Sequence, residues 1–406
     1  MKKFFQNIKS GFATKIKKTP NNMMAIGTVG RPVFTPRNYE QLADEGYQRN
    51  VIVYRCISLI ARGLASVPWL LYQKTHRGEV ELEHHPLLDL LNCPSPRQAG
   101  SSFMECLVSH LNLSGNAYLW AMQDESGNLC ELHSLRPDRI TIVPNHNGHV
   151  QAYEYTVGGK KRTYLVDEET GKSPILHIKL FHPLHDWYGL SPIEAAACSI
   201  DQHNAVSSHN LALMQNGGRP SGAFIIKPSP HSMPLTDTQR DQLREDLHRL
   251  YEGTKNAGRI LMMEGDFAWQ DMGLSPKDLD FIAGKSVSAR EICQAFGVPP
   301  ILAGIPEDAT FANYRETRFH LWEDTILPLL DYLVAEFNLW LTPFFGPNLR
   351  LGYDHDGIPA LSPKREAAWA KICASDFLTI NEKRQAVGYS PISGGDELEI
   401  KLQQAT

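Results

Sequence analysis

The first strong hydrophobic pattern of the chain lies between residues 48 and 72 and has helical spacing. Its apolar positions recur every three or four residues, as on a helix with one buried face; they are Val53, Ile57, Ile60 and Leu64. After Pro68 the sequence WLLYQK predicts a short strand. Residues 84–91 (HHPLLDLL) then predict a second, short helix, and a third helix begins at Ser101.

The pattern changes after residue 116, where apolar and polar residues alternate and Gly and Asn interrupt the runs. Such alternation is typical of short strands joined by turns. We expect strands at residues 117–123, 129–135, 139–145, 152–157 and 174–181. Local helices followed by mostly antiparallel strands predict an α+β unit that extends to about residue 190.

A long polar helix is predicted next. Ser191-Pro192-Ile193-Glu194 has the residues of a capping box with proline at the first helical position. We expect the helix to run without interruption to Asn216 and to stop at Gly217, over roughly 38 Å. Its middle, DQHNAVSSHN, is polar on most faces. Such a helix either spans solvent or packs on copies of itself through small residues.

A compact α/β insert is predicted after this helix, with strands at residues 222–228 and 258–264 around a helix from Thr236. A second helix, or a pair of helices, follows between residues 275 and 297, and then a loop up to Asn313. The next helix, residues 314–341, holds Pro328 in its interior. Because proline removes a backbone hydrogen bond, we expect a kink there. Further helices begin at Ser362 and Thr379.

Charge is unevenly distributed along the chain. Residues 1–39 hold eight Lys or Arg and no acidic residue, which leaves 32 basic against 45 acidic residues, a net charge of −13, on the rest. The basic arm is either a solvated segment or one that docks on a partner or on nucleic acid. The acidic body cannot hold a phosphate backbone by bulk attraction, so we expect its DNA contacts to be weak or confined to small patches. The same charge could equally serve only solubility.

No arrangement for catalysis, cofactors or metals emerges from the sequence. Gly284-Lys285-Ser286 ends like a phosphate-binding loop, but Leu279 stands where that loop needs a glycine. Residues 354–357 (DHDG) lack the distal ligands of a calcium loop. The seven cysteines are scattered, without a C-x-x-C pair, which favours reduced thiols in a cytoplasm. We therefore expect a non-enzyme without cofactor, metal or membrane-spanning segment.

Several segments, in order, resemble the portal (head-to-tail connector) proteins of long-tailed phages and gene-transfer agents. They are VYRCISLIARGLASVPWLLY, HPLLDLLNCPSP, LSGNAYLW, LRPDRITIV, ILHIK, YGLSPIEAA, AGRILMMEG, SAREICQAFGVPPILAG and LTINEKRQAVGYSPISGGD. Each is weak alone, but their number, order and spacing make the set specific. The chain departs from the family pattern at one place. Where the family often has a basic stretch before its second long helix, this chain has Ile282-Ala283-Gly284-Lys285-Ser286. A glycine inside a helix costs about 1 kcal/mol relative to Ala, which predicts a bend or break there.

The resemblance implies an α+β portal fold in a dodecameric ring at one capsid vertex, assembled in the host cytoplasm. It has an α/β wing, a two-helix stem, a small α/β clip, a long kinked helix and a short helical crown. On this chain they would be a flexible arm at 1–39, the wing at 40–190, stem helices at 191–216 and 275–299, the clip at 217–274, a tunnel loop at 300–313, the kinked helix and return at 314–361, and the crown at 362–406.

The resemblance also implies partners and the residues that meet them. Double-stranded DNA would pass the tunnel loop, where we expect five residues to project: Ile305, Glu307, Asp308, Thr310 and Asn313. The clip would dock the terminase large subunit and the head-tail adaptor, with exposed charges at Arg240, Arg244, Glu245 and Arg249. The major capsid protein would surround the ring. Two alternatives stay open, a capsid scaffold or adaptor without a channel and a DNA-modifying enzyme that does not use ATP.

Overall fold

The computed structural model describes residues 38–76, 78–215, 222–226, 236, 238, 241–242, 245, 267–271, 281–305, 311–387 and 392–396. All of them belong to one compact unit, Thr35–Thr406. The α-helices are α1 (Tyr39–Gln41), α2 (Val51–Ala65), α3 (Pro86–Asn92), α4 (Gly100–Ser114), α5 (Pro192–Ala195), α6 (Ala197–Gln215), α7 (Phe281–Ala295), α8 (Phe311–His320), α9 (Leu327–Trp340), α10 (Ser362–Ala374) and α11 (Ile380–Ala386).

Shorter helical segments and strands complete the described part. Leu42–Gln48 and Leu321–Ile326 are π-helical, and 3-10 turns lie at Pro137–Arg139, Pro300–Ala303 and Thr342–Phe344. The strands are β1 (Trp69–Thr75), β2 (Gly78–Glu81), β3 (Asn116–Gln123), β4 (Leu129–Leu135), β5 (Ile140–Pro144), β6 (Val150–Val157), β7 (Lys160–Leu165), β8 (Ile175–Lys179), β9 (Gly222–Ile226), β10 (Phe267–Asp271) and β11 (Leu349–Tyr353).

Helix α2 forms the centre of the larger hydrophobic core. The buried residue Asn50 caps the start of this helix. Its side-chain oxygen accepts hydrogen bonds from the N–H groups of Ile52 and Val53 at 3.0 and 3.3 Å. The four apolar positions predicted from the helical spacing are all buried, which confirms that pattern: Val53, Ile57, Ile60 and Leu64. Their face packs in one core with α4, α7 and the π-helical and helical segments from Leu321 to Trp340.

The described strands pair antiparallel, in three sheets of three strands and one pair. The orders are β11-β1-β2, β4-β3-β8 and β5-β6-β7, with β9 pairing β10. A second, smaller core lies between the β3 and β6 sheets, around Tyr118, Ile142 and Tyr153. The predicted mixture of helices and antiparallel strands is therefore confirmed. Strands β2 and β7 are almost wholly exposed, so no buried alternation marks them in the sequence.

The helix predicted to run unbroken from residue 191 is interrupted at Ala196, so that prediction is wrong. There the backbone has φ −88° and ψ 3°, which ends α5 before α6 begins. Nothing in the local sequence stops a helix, but tertiary packing fixes the first turn. Ile193 is buried, and its Cγ2 lies so close to Gly46 that a Cβ on Gly46 would be only 3.3 Å away. The Ser191 cap is as predicted, with its Oγ accepting from the Glu194 N–H at 3.1 Å.

A break at Gly284, one of the two predicted outcomes, does not occur, because α7 runs through it from Phe281 to Ala295. Ser288 Oγ bonds back to the Gly284 carbonyl at 3.0 Å, within the helix. The helix ends just before Gly297, whose φ of +65° is left-handed and suits glycine.

The helix that contains Pro328 is widened to a π-helix just before the proline, at Leu321–Ile326. The Leu327 N–H donates to the carbonyl of Trp322, five residues back, at the end of the π-helical stretch. A π-turn suits this place because Pro328 has no N–H for the carbonyl four residues before it, and its ring would crowd that group. Towards the C-terminus the predicted starts of α10 and α11 are confirmed, and Thr379 with Glu382 forms a complete capping box.

Candidate functional site

The long polar helix α6 packs beside α7 through polar side chains. Ser199 Oγ donates to Glu291 at 2.6 Å, and Ser288 Oγ donates to the Gln202 amide oxygen at 3.4 Å. These contacts explain why α6 has no apolar stripe, since its partner surface on α7 also carries hydrogen-bonding groups.

A buried polar network fixes the base of α6 to the start of α2. The Asn50 side chain is fully buried, and its Nδ2 lies 3.2 Å from His203 Nδ1 and donates to Asn204 Oδ1 at 3.0 Å. Asn204 in turn donates to the Glu45 carbonyl at 2.9 Å. Burial lowers the pKa of His203, and the nearby Lys285 charge lowers it further. Asn50 therefore caps one helix and holds another.

Among the described residues, the distal half of α6 and the first turns of α7 each expose an apolar side chain. Leu211 and Val287 are each more than half exposed. Towards the other end of α7, by contrast, Ile292 and Cys293 are fully buried, and the Cys56 thiol lies 3.9 Å from that of Cys293. One end of the helix pair is thus anchored in the core, and the other presents apolar and polar side chains outward.

Ile305 does not project from the predicted tunnel loop, which corrects that expectation. Gly304 has a left-handed φ of +87°, and the Ile305 N–H bonds to the Pro300 carbonyl at 3.1 Å. This tight turn carries the apolar Ile305 side chain into the core, where it is 8% exposed. Three of the other expected loop residues lie outside the described residues: Glu307, Asp308 and Thr310. For the fourth, Asn313, only the backbone is described, and it is helical in α8.

The predicted clip is described only in part. Strands β9 and β10 pair antiparallel, with Gly222 opposite Asp271, and Glu245 is exposed on helical backbone. The strand predicted at residues 258–264 lies outside the described residues, as do three of the four expected docking charges: Arg240, Arg244 and Arg249. Strand β10 was not predicted from the sequence.

The described residues offer no arrangement for metal binding. Among them, no group of three or more His, Cys, Asp or Glu side chains could hold a metal ion. Across the same described part, no helix is both long and apolar enough to cross a bilayer. All seven cysteines are free thiols.

The strongest pKa shifts belong to buried core residues. Burial lowers the pKa of His110 to about 4 and that of His177 to about 3, where the Lys179 charge adds to the effect. His177 stacks on Tyr118 with ring centroids 4.3 Å apart and lies 3.0 Å from the Asn116 side-chain oxygen. The lowered pKa values favour the neutral form of both imidazoles.

Sequence reasoning missed a basic cleft between α2 and α8, which we name the α2–α8 cleft. It measures about 320 Å³ and is lined by Arg55, Arg62, Tyr314 and Arg318 over a floor that includes Trp322. Gly63 lets α2 lie close to the π-helical segment Leu321–Ile326 that follows α8, because a Cβ at Gly63 would meet Ile326 at 2.7 Å. Since Arg318 lies more than 250 residues from Arg55 and Arg62 in the chain, no local motif reveals the cleft.

Comparison with known proteins places this arrangement in a family. Residues 51–388 match the family model described as phage portal protein. The portal protein of Enterobacteria phage HK97 is 26% identical over 416 residues, covering 99% of this chain and 92% of that protein.

Solved structures give the same relationship. A chain from the neck of an empty gene transfer agent (GTA) particle, computed with C6 symmetry, is 42% identical at a TM-score of 0.70, covering 91% of this chain and 98% of its own. A chain from the neck of a native GTA particle computed with C12 symmetry is 41% identical at a TM-score of 0.68, over 89% and 96% of the two chains.

Proposed function

Because this chain belongs to the phage portal protein family, we propose that twelve copies of it close into a ring around a channel for double-stranded DNA. The matching family is one of structural proteins, and a neck structure computed with C12 symmetry contains a chain 41% identical to this one. The ring would stand at one vertex of a phage or gene-transfer-agent capsid, in contact with the major capsid protein.

The observation that carries the proposal is the helix pair of α6 and α7, anchored at one end and uncovered at the other. Its anchored end is held by the Asn50 network and by the apolar core around Ile292. Its other end exposes Leu211 and Val287. Such a pair suits a stem, in which neighbouring copies cover the distal halves and the polar faces meet a hydrated channel. In this scheme residues 191–216 and 275–299 are the two stem helices.

The remaining regions follow from the same scheme. Residues 40–190 would form the wing, 217–274 the clip, 314–361 the kinked helix with its return, and 362–406 the crown. The clip would dock the terminase large subunit and later the head-tail adaptor through its charged residues, Arg240, Arg244, Glu245 and Arg249.

The segment from Ile305 to the first turn of α8 is the proposed DNA-facing loop. With Ile305 buried, the residues proposed to meet DNA are Glu307, Asp308, Thr310 and Asn313. Two of these are acidic, and the body of the chain carries a net charge of −13, from 32 basic and 45 acidic residues. A weakly negative lumen would let a polyanion slide without being held, because tight DNA binding requires neutralised phosphates.

Ring formation by the purified protein tests the proposal directly. Mass photometry should find a closed particle of about twelve times the 45.6 kDa of one chain, and negative-stain images should show rings with a central opening. A protein that stays monomeric at micromolar concentration, or that forms open chains, would exclude the channel. The alternative of a scaffold or adaptor without a channel predicts no closed ring.

Deletion of residues 306–310 tests the loop assignment separately. Because Ile305 and its turn remain, the ring should still assemble. Packaging or retention of the genome should fall. Rings of normal size that package and retain DNA as the parent does would contradict the assignment while leaving the ring itself intact.

A further inference from the structure

The α2–α8 cleft is rich in positive charge that the described residues leave largely uncompensated. Arg62 pairs with Glu105 at 2.9 Å. Arg55 donates to the Leu302 carbonyl at 3.3 Å, and within the described part neither Arg55 nor Arg318 has a carboxylate partner. Both side chains are exposed at the rim, and the Tyr314 ring beside them is 45% exposed. The cleft thus combines two available guanidinium groups with an aromatic edge, a composition typical of protein interfaces.

The charges of the chain exclude one occupant and favour another. The N-terminal arm, residues 1–39, has eight basic residues and no acidic one, so it would be repelled. A DNA phosphate would also suit arginine, and it is one outcome of the test below. A second copy of this chain is the occupant whose charge fits, because the body carries 13 more acidic than basic residues.

The complementary surface lies on the other side of the same helical element. Glu316 and Asp324 are 72% and 68% exposed and flank His320, which lies 3.7 Å from the first and 3.3 Å from the second. We name these three residues the acidic ridge. At about 100° per residue, Glu316 lies on the opposite side of α8 from Tyr314 and Arg318.

A cyclic ring needs this kind of arrangement. Its contacts are head-to-tail, so each copy must present two different surfaces that fit each other. The basic cleft and the acidic ridge are two such surfaces, separated only by the width of one helical element. Accepting the ring proposed above, we propose that Arg55 and Arg318 of one copy bind the carboxylates of Glu316 and Asp324 of the next copy.

Charge reversal on each side tests this pairing. The cleft variant Arg55→Glu/Arg318→Glu and the ridge variant Glu316→Arg/Asp324→Arg should each need at least about tenfold more protein than the parent to form rings, as expected for a loss of one decade in affinity. The charge-matched control Arg97→Glu/Arg162→Glu changes two exposed arginines that do not line the cleft and should assemble like the parent.

A mixture of the two variants provides the decisive measurement. Each variant alone brings like charges together, but in a 1:1 mixture every cleft can meet a ridge of opposite charge if the copies alternate. Rings should therefore return, with both chains in equal amounts by native mass spectrometry. Unchanged melting temperatures of the unassembled variants would show that folding is intact, and the neutral Arg55→Gln/Arg318→Gln should give a smaller loss.

Four outcomes would overturn the pairing. Rings of the cleft variant at parental concentration would show that the cleft does not join copies. Normal rings with a selective loss of DNA retention would assign the cleft to phosphate instead. Failure of the mixture to form rings, with both variants folded, would separate the cleft from this ridge. If the parent itself forms no ring, the proposed function fails and the pairing fails with it.

Discussion

The substitution Asn50→Ala should loosen the base of α6 from the rest of the wing. Asn50 accepts from two N–H groups at the start of α2, and loss of such a cap costs about 1 kcal/mol. Its amide also contacts His203 and donates to Asn204, and a buried polar group left without its partner costs about 1–3 kcal/mol. The combined loss is about 2–4 kcal/mol of local stability.

Hydrogen exchange of the α6 amides measures this loss where it occurs. Exchange near His203 should accelerate by roughly thirty-fold to a thousand-fold, since each 1.4 kcal/mol corresponds to a factor of ten. Asn38→Ala is the matched control, because Asn38 caps α1 through the same kind of bond to Gln41 but is exposed.

One contradictory result would be that Asn50→Ala accelerates exchange in α2 but leaves α6 at the parental rate. Another would be that Asn50→Ala and Asn38→Ala have the same effect on α6. Either result would mean that the network is not what holds the base of the proposed stem.

Two further predictions concern the wing. Gly115→Ala should lower the free energy of unfolding by more than about 3 kcal/mol, because Gly115 has φ +71° and an added Cβ would lie 2.6 Å from the backbone of Gly189; Gly127→Ala, at φ +84° with open space around it, should cost only the left-handed conformation, about 1–2 kcal/mol. Melting curves of both variants check this, and equal losses would contradict the steric explanation. The His177 pKa of about 3 lies below the ordinary value of 6.5, so the unfolded chain binds the proton first as pH falls. Its contribution to stability is therefore complete above pH 6.5 and is lost as pH falls from 6.5 towards 3. In His177→Phe the free energy of unfolding should therefore change less with pH in that window. Urea titrations at several pH values measure it, and a pH dependence equal to that of the parent would refute the assignment.

Most helices could be predicted from the sequence because their signals are local. The spacing of Val53, Ile57, Ile60 and Leu64 marks α2, and all four are buried. The cap at Ser191 and the capping box at Thr379 are formed by residues three positions apart, so they need no tertiary context. The family membership was also accessible, because it depends on the order of short motifs along the chain.

The predictions that failed depend on contacts between distant segments. The break at Ala196 follows packing of Ile193 near Gly46, and the continuity of α7 through Gly284 shows that a cost of about 1 kcal/mol does not by itself end a helix. Ile305 was expected outside because it lies in a loop, yet a single turn at Gly304 buries it. Strands β2 and β7 have no buried face, so their sequences lack the alternation that marks a strand.

The sequence by itself determined the helices, the antiparallel β regions, the uneven charge and the family of this protein, since propensity, spacing and motif order act along the chain. Only the tertiary structure decided which polar residues meet. It joined Asn50 to His203 across 153 residues and brought Arg318 beside Arg55 and Arg62 in one cleft. Burial and opposing charges act through space, and the path of the backbone between such residues is set by the packing of the whole core.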